Sequence, residues 1–110
     1  MKVLVVGSNG FLGKHVKSIL DSEDKHHVLE ITGKDQVDLT RYELLSDYLS
    51  EFKPKIIINC AAFVGGISYG YKHPAKMLYE NSLMAINLYK ASLEHNVDKL
   101  INPISNCAYP

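Results

Sequence analysis

A chain of 110 residues with 46% apolar and 22% charged content has enough material for one hydrophobic core and too little for two. Twelve basic residues balance twelve acidic ones, so there is no broad positive field of the kind that holds a nucleic acid or an anionic membrane surface. Cys60 and Cys107 are too few for a disulfide framework or a zinc site and point to a reducing, cytoplasmic setting; the five histidines show no metal-ligand spacing, and no metal is expected.

Lys2-Val3-Leu4-Val5-Val6 is an unbroken aliphatic run stopped by Gly7, the pattern of a strand buried on both faces of a parallel sheet. Four apolar residues before a glycine fall far short of a signal-peptide core or a membrane span, so a soluble protein is expected. Beyond the turn, Phe11, Leu12, Val16, Ile19 and Leu20 recur at helical spacing and predict an amphipathic helix from Phe11 to Asp21. His27 to Ile31 reads as a second strand and Val37 to Leu39 as a short third. A helix from Arg41 to Glu51 follows, with Leu44, Leu45, Tyr48, Leu49 and Phe52 on one face, and Pro54 ends it. Lys55 to Ala62 repeats the buried-strand pattern, and Gly65-Gly66 marks a loop. Pro74 suits a first helical turn, and Met77, Leu78, Asn81, Leu88 and Ala91 carry the longest helix to His95. Lys99 to Ser105 reads as a last strand, although Pro103 removes a ladder donor and fits an edge or a bulge better than a central position.

Strands alternating with helices imply right-handed crossovers and an α/β fold. The expectation is a Rossmann-type doubly wound parallel sheet of order 3-2-1-4-5 that stops after its fifth strand. Residues 1–110 then form one dinucleotide-binding domain. Ligands bind such sheets at the carboxyl ends of the strands, where the strand order reverses, and the Gly7 turn and the Gly65-Gly66 loop both belong there.

Gly7-Ser8-Asn9-Gly10-Phe11-Leu12-Gly13 places three glycines three residues apart, directly after a strand and at the mouth of a helix. Gly7 permits the tight turn, Gly10 the approach of a pyrophosphate to the backbone, and Gly13 the close packing of helix on sheet. The helix N-terminus offers N–H groups and a positive dipole end to the phosphates. At the end of the second strand, Thr32-Gly33-Lys34 supplies a hydroxyl, an accommodating backbone and a cation, which favours NADP; Glu30, near the spacing of an NAD-selecting acid but inside the strand, keeps NAD open. Asp38 is placed to receive an adenine amino group or to cap the next helix.

Taken together, Gly7-x-x-Gly10-x-x-Gly13, Asp38-Leu39-Thr40, Asn59-Cys60-Ala61-Ala62, Asn81 and Ser105-Asn106-Cys107-Ala108-Tyr109-Pro110 resemble the extended short-chain dehydrogenase/reductase family over essentially the whole chain. Within it, Ala61-Ala62-Phe63-Val64-Gly65-Gly66-Ile67, His73-Pro74-Ala75 leading to Tyr79-Glu80-Asn81, and the Cys-x-Tyr-Pro ending are similar to the GDP-L-fucose synthase subgroup, NADP-dependent epimerase-reductases acting on a nucleotide-sugar. The resemblance implies cofactor contacts at Gly7, Asn9, Gly10, Phe11, Leu12, Gly13, Lys34, Asp38, Leu39, Ala61, Ala62, Val64 and Asn81. It also implies a homodimer built partly on the helix from Pro74 to His95. Ser105 is implied to polarise the sugar C4 oxygen, where the residue by itself reads as a turn serine. Cys107 is implied to act as acid and base in epimerisation; by itself it reads equally as a small buried hydrophobe.

The chain also departs from the family pattern. Family catalysis uses a Tyr-x-x-x-Lys pair, and no tyrosine here has a lysine four residues on. Asn106 stands where serine is usual. The chain is therefore expected to be the N-terminal portion of such an enzyme, binding cofactor without turnover by itself. Two other readings stay open: a non-catalytic dinucleotide-binding or interaction module, and an NAD-dependent UDP-sugar 4-epimerase or dehydratase.

Overall fold

The computed structural model describes residues 1–61 and 74–102. In chain order the elements are β1 (Lys2–Val6), α1 (Phe11–Ser22), β2 (His27–Ile31), α2 (Tyr42–Phe52), β3 (Ile56–Asn59), α3 (Pro74–Glu94) and β4 (Lys99–Ile101). The strands are parallel and lie in the order β2-β1-β3-β4, with Val6 paired to Ile31 on one side and to Asn59 on the other. The α/β class and the reversal of strand order at β1 are those expected. The segment of 103–105 assigned to the last strand lies outside the described residues.

Alternation along β1 divides the core between the two faces of the sheet. Leu4 and Val6 join Ile31, Ile57, Leu45, Leu49, Leu88 and Ala91 in one buried cluster beneath α2 and α3. Val3 and Val5 are as deeply buried, and α1 packs over β1 and β2. An aliphatic run without polar alternation is thus what a central parallel strand requires. None of the described helices is long and apolar enough to cross a membrane.

Three expectations need correction. First, Val37 to Leu39 is not a strand, so the described sheet has four strands where five were expected. Side chains occupy the edge that a further strand would pair with: the Glu30 carbonyl accepts hydrogen bonds from Gln36 Nε2 at 2.9 Å and from the Tyr48 hydroxyl at 3.2 Å. Asp38 then folds its own segment into a turn, its Oδ1 accepting from the Thr40 amide at 3.0 Å and the Thr40 hydroxyl at 2.6 Å. Second, the apolar set expected to face the core on α1 is split. Val16 and Leu20 are half-buried, whereas Phe11 is 85% and Ile19 60% exposed, and the helix approaches the sheet through Gly13 instead. Third, Asp38 does not cap α2; the residue before that helix is Arg41, which makes no side-chain cap.

The long helix α3 ends where its backbone turns left-handed at Asn96, with φ 55°. The Val97 amide reaches back to the Ser92 carbonyl at 3.0 Å, closing the last turn in the six-to-one pattern that glycine usually, and asparagine sometimes, supports. That closure sends the chain straight into β4 beside β3. On the outward side of α3, Leu78, Tyr79, Ile86, Tyr89 and Leu93 are exposed.

Candidate functional site

The carboxyl ends of β1, β2 and β3 converge on the Gly7 turn. Gly7 takes φ +77° and donates its amide to the Ile31 carbonyl at 2.7 Å, which ties the turn to the end of β2. A Cβ there would lie 2.7 Å from the Ala61 amide nitrogen, so only glycine lets the turn pass under the end of β3. Gly13 is equally constrained: a Cβ would stand 2.1 Å from the Gly7 carbonyl oxygen. At Gly10 the nearest atom to an added Cβ is the Gly7 carbonyl oxygen at 3.5 Å, an ordinary contact. The fold therefore needs glycine at positions 7 and 13 and has no such need at position 10.

Gly10 is the residue preceding α1, makes no side-chain cap, and no acidic residue stands in the first turn. The leading N–H groups of the helix are thus offered to an anion without a competing carboxylate. Gly10 also lines a cavity of about 280 Å³. The other described residues of its wall are Val6 and Gly7, Ile31 to Lys34, Val37 to Thr40, Cys60 and Ala61, with Glu80 and Met84 from α3.

Each wall is fixed by a specific contact. Ser8, only 3% exposed, donates to Glu30 Oε1 at 2.8 Å, and Lys17 approaches the other oxygen of that carboxylate at 3.7 Å. Glu30 thereby braces the glycine loop and does not line the cavity. Gln36 Oε1 accepts from both the amide and the hydroxyl of Thr32, at 2.9 and 3.0 Å, holding the end of β2 while Gly33 and Lys34 turn away. Lys34 is exposed at the rim, within electrostatic reach of Asp38. Across the cavity, Asn59 Oδ1 accepts from the Ala61 amide at 3.0 Å, and its Nδ2 donates to Asn102 Oδ1 at 2.8 Å, joining the ends of β3 and β4. Burial pushes the Cys60 thiol up, so it stays neutral and serves as apolar wall.

The Thr40 hydroxyl, assisted by its amide and by the charges of Lys34 and Arg41, holds the Asp38 carboxyl below its ordinary value of 3.8. A lowered value in the folded state stabilises the turn above the ordinary value and ceases to do so as pH falls through the folded one. The thermal midpoints of the protein and of Asp38→Asn, different at about pH 6, should draw together as the pH falls below the ordinary value of 3.8. A gap that stayed constant over that range would contradict this account of the turn.

Of the residues expected to meet a dinucleotide, the structure brings Gly7, Gly10, Lys34, Asp38, Leu39 and Ala61 to this one cavity. Gly13 supports the loop from behind. Asn9 lies on the outer side of the glycine loop in a shallower cleft with Lys14 and Lys17. Phe11 and Leu12 are exposed on the first turn of α1, the Phe11 ring edge-on to His15 with centroids 4.8 Å apart. Asn81 is half-buried, one residue beyond Glu80. Ala62, Val64, Ser105 and Cys107 lie outside the described residues. Sequence reasoning gave no site role to Val37, Thr40, Glu80 and Met84 in the wall or to Gln36 behind it, and it weighed Glu30 as a ribose contact where the structure makes it a brace. Their roles depend on contacts with distant or differently oriented segments that no local motif announces.

Comparison with known proteins agrees with this fold. A family model described as "NAD dependent epimerase/dehydratase family" matches residues 3–110. The chain is 36% identical over its whole length to GDP-L-colitose synthase of Yersinia pseudotuberculosis and covers 35% of that protein. It is 34% identical over 99% of its length to GDP-L-fucose synthase of Sinorhizobium fredii, covering 34% of it. The crystal structure of a GDP-L-fucose synthetase from Naegleria fowleri bound to NADP superposes with a TM-score of 0.83 at 26% identity, over 99% of this chain and 32% of that one. The chain thus spans about a third of the length of the curated relatives it matches.

Proposed function

The chain belongs to the NAD dependent epimerase/dehydratase family, and on that premise we propose that residues 1–110 are the cofactor-binding portion of an NADP-dependent nucleotide-sugar epimerase/reductase of the GDP-L-fucose synthase kind. The observation that carries the reading is Gly10: the fold has no steric need of glycine there, yet it stands at an uncapped helix N-terminus on the wall of the cavity. A pyrophosphate approaching the backbone is what requires it. Two neighbours at moderate identity, the synthase of S. fredii and the NADP-bound synthetase of N. fowleri, favour the same assignment.

In this reading the leading amides of α1 hold the pyrophosphate, and the rim of Gly33 and Lys34 receives the 2′-phosphate. The turn of Asp38, Leu39 and Thr40 with Met84 encloses the adenine. Ala61 and the segment after β3 border the nicotinamide side. When bound, the cofactor supplies the hydride for reduction of a keto-sugar. Ser105 and Cys107 follow β4 and are assigned to the sugar: the serine hydroxyl to hydrogen-bond its C4 oxygen, the thiol to take and return a proton beside the carbonyl. No Tyr-x-x-x-Lys pair occurs in the 110 residues, so turnover by this chain alone is not expected. Glu30, engaged by Ser8 and Lys17, weighs against an NAD-type ribose contact and hence against the UDP-sugar 4-epimerase reading. The exposed stripe of Leu78, Tyr79, Ile86, Tyr89 and Leu93 on α3 supports a homodimer.

The test is titration of the chain with NADPH and, separately, NADH, followed by ligand fluorescence or calorimetric heat. Saturable binding with NADPH preferred is expected. Binding of neither dinucleotide overturns the assignment, and preference for NADH overturns the choice of cofactor.

A further inference from the structure

Among the described residues, the loop of 37–40 is a part of the cavity wall that no sheet partner supports. A backbone segment buried without a strand beside it must find other partners for its polar groups. Leu39 is 5% exposed, and its carbonyl receives a hydrogen bond of 2.7 Å from Asn87 Nδ2, a side chain 6% exposed on α3 and forty-eight residues away in sequence. Asn87 sits among apolar neighbours: Leu88 and Ala91 belong to the core cluster, and Met84 packs against it. Leucine or alanine would satisfy such a position on packing grounds, and a buried amide is costly there unless its partner is needed.

Positions 80, 84, 87, 88 and 91 recur at helical spacing and therefore share one face of α3. Glu80 and Met84 on that face line the cavity, and Asn87 holds the part of its wall formed by 37–40. A single helix thus both lines the cavity and holds its 37–40 wall. Asp38 and Thr40, on either side of the anchored Leu39, bond to each other and also line the cavity, so the anchor fixes the orientation of both.

We propose that Asn87 is a positioning residue: by holding the Leu39 carbonyl it keeps Asp38 and Thr40 aligned against Met84, and through them it sets the selectivity of the cavity for an amino-bearing purine. The proposal rests on the dinucleotide reading above, because the purine is that of the cofactor. A carboxylate accepts a hydrogen bond from the adenine amino group and repels the carbonyl oxygen that replaces it in hypoxanthine. That preference depends on where the loop is held.

The experiment compares the unaltered chain with Asn87→Leu, which removes the donor and keeps bulk, and Asn87→Asp, which keeps shape and replaces the donor by an acceptor. Amide hydrogen exchange is read at Thr40 and Arg41, whose N–H groups bond to Asp38, and at the central strand β1. NADPH and its hypoxanthine analogue are titrated in parallel. Loss of one buried hydrogen bond predicts about tenfold faster exchange at Thr40 and Arg41 relative to β1, and a base preference reduced about tenfold, in both variants. Exchange that rises uniformly across the chain means general destabilisation and overturns the anchor. Faster local exchange with an unchanged base preference overturns the link to selectivity. If the unaltered chain binds neither nucleotide, the dinucleotide reading and the selectivity role fall together, and the exchange data still decide the anchor.

Discussion

Gly13→Ala is expected to destabilise the fold by about 3 kcal/mol or more, because the added carbon must move backbone and not a flexible side chain. The Cβ would stand 2.1 Å from the Gly7 carbonyl oxygen and 2.7 Å from Ser8 Cα, so α1 has to lift from the sheet or the glycine loop has to reshape. Either response breaks the tie between Gly7 and Ile31 that seats the loop at the end of β2. For a domain of this size, with total stability on the order of 5–15 kcal/mol, such a loss should lower the urea midpoint by at least about 1 M. Gly10→Ala gives the contrast. Its Cβ meets nothing closer than 3.5 Å, so its urea midpoint should stay near that of the unaltered chain. Its NADPH affinity should fall by about tenfold or more, as a methyl group displaces phosphate from charge-assisted hydrogen bonds. Measuring both quantities for both variants separates a glycine required by the fold from one required by a ligand. Equal loss of stability in the two variants would refute the distinction, and with it the argument that Gly10 reports a ligand.

That distinction also shows what could be read before the fold was known. The glycine loop was legible because spacing and context, a strand before and a helix after, define it without reference to distant residues. β1 was legible with the bounds observed because a run buried on two faces needs no partner to identify it, and β2 was legible with the bounds observed although it is only partly buried. The failures arose where side chains competed with backbone. Val37 to Leu39 has the composition of a short strand, yet Gln36, Tyr48 and Asp38 occupy the groups a strand would use. No propensity scale weighs a glutamine reaching a carbonyl six residues back. The apolar set on α1 was misjudged for a related reason: the helix meets the sheet through the absent side chain of Gly13, while Phe11 and Ile19 point away. For Asn87 there was a usable signal, an amide spaced at helical intervals from Met84, Leu88 and Ala91. The partner it anchors, forty-eight residues upstream, became visible only in three dimensions.

Reversing the charge of Lys34 should change cofactor choice more than any other single substitution at the rim. In the NADP reading its ammonium faces the 2′-phosphate, a group with close to two negative charges near neutral pH. The residue is exposed and no described carboxylate forms a salt bridge with it, Asp38 acting on it only from beyond contact distance. A charge-assisted hydrogen bond contributes about 1.5–3 kcal/mol, so Lys34→Ala should weaken NADPH by about tenfold to a hundredfold, and Lys34→Glu by more. NADH lacks the phosphate, and its affinity should change by less than about threefold in either variant. Because the site is open to solvent, the preference of the unaltered chain for NADPH should also shrink as salt is raised past the point where the screening length falls below about 10 Å. Titrations of both dinucleotides at two ionic strengths would test all of this at once. Equal loss of NADPH and NADH would place Lys34 at the pyrophosphate instead. No loss of either would leave the 2′-phosphate to Asn9 and Lys14, which flank the outer cleft of the glycine loop.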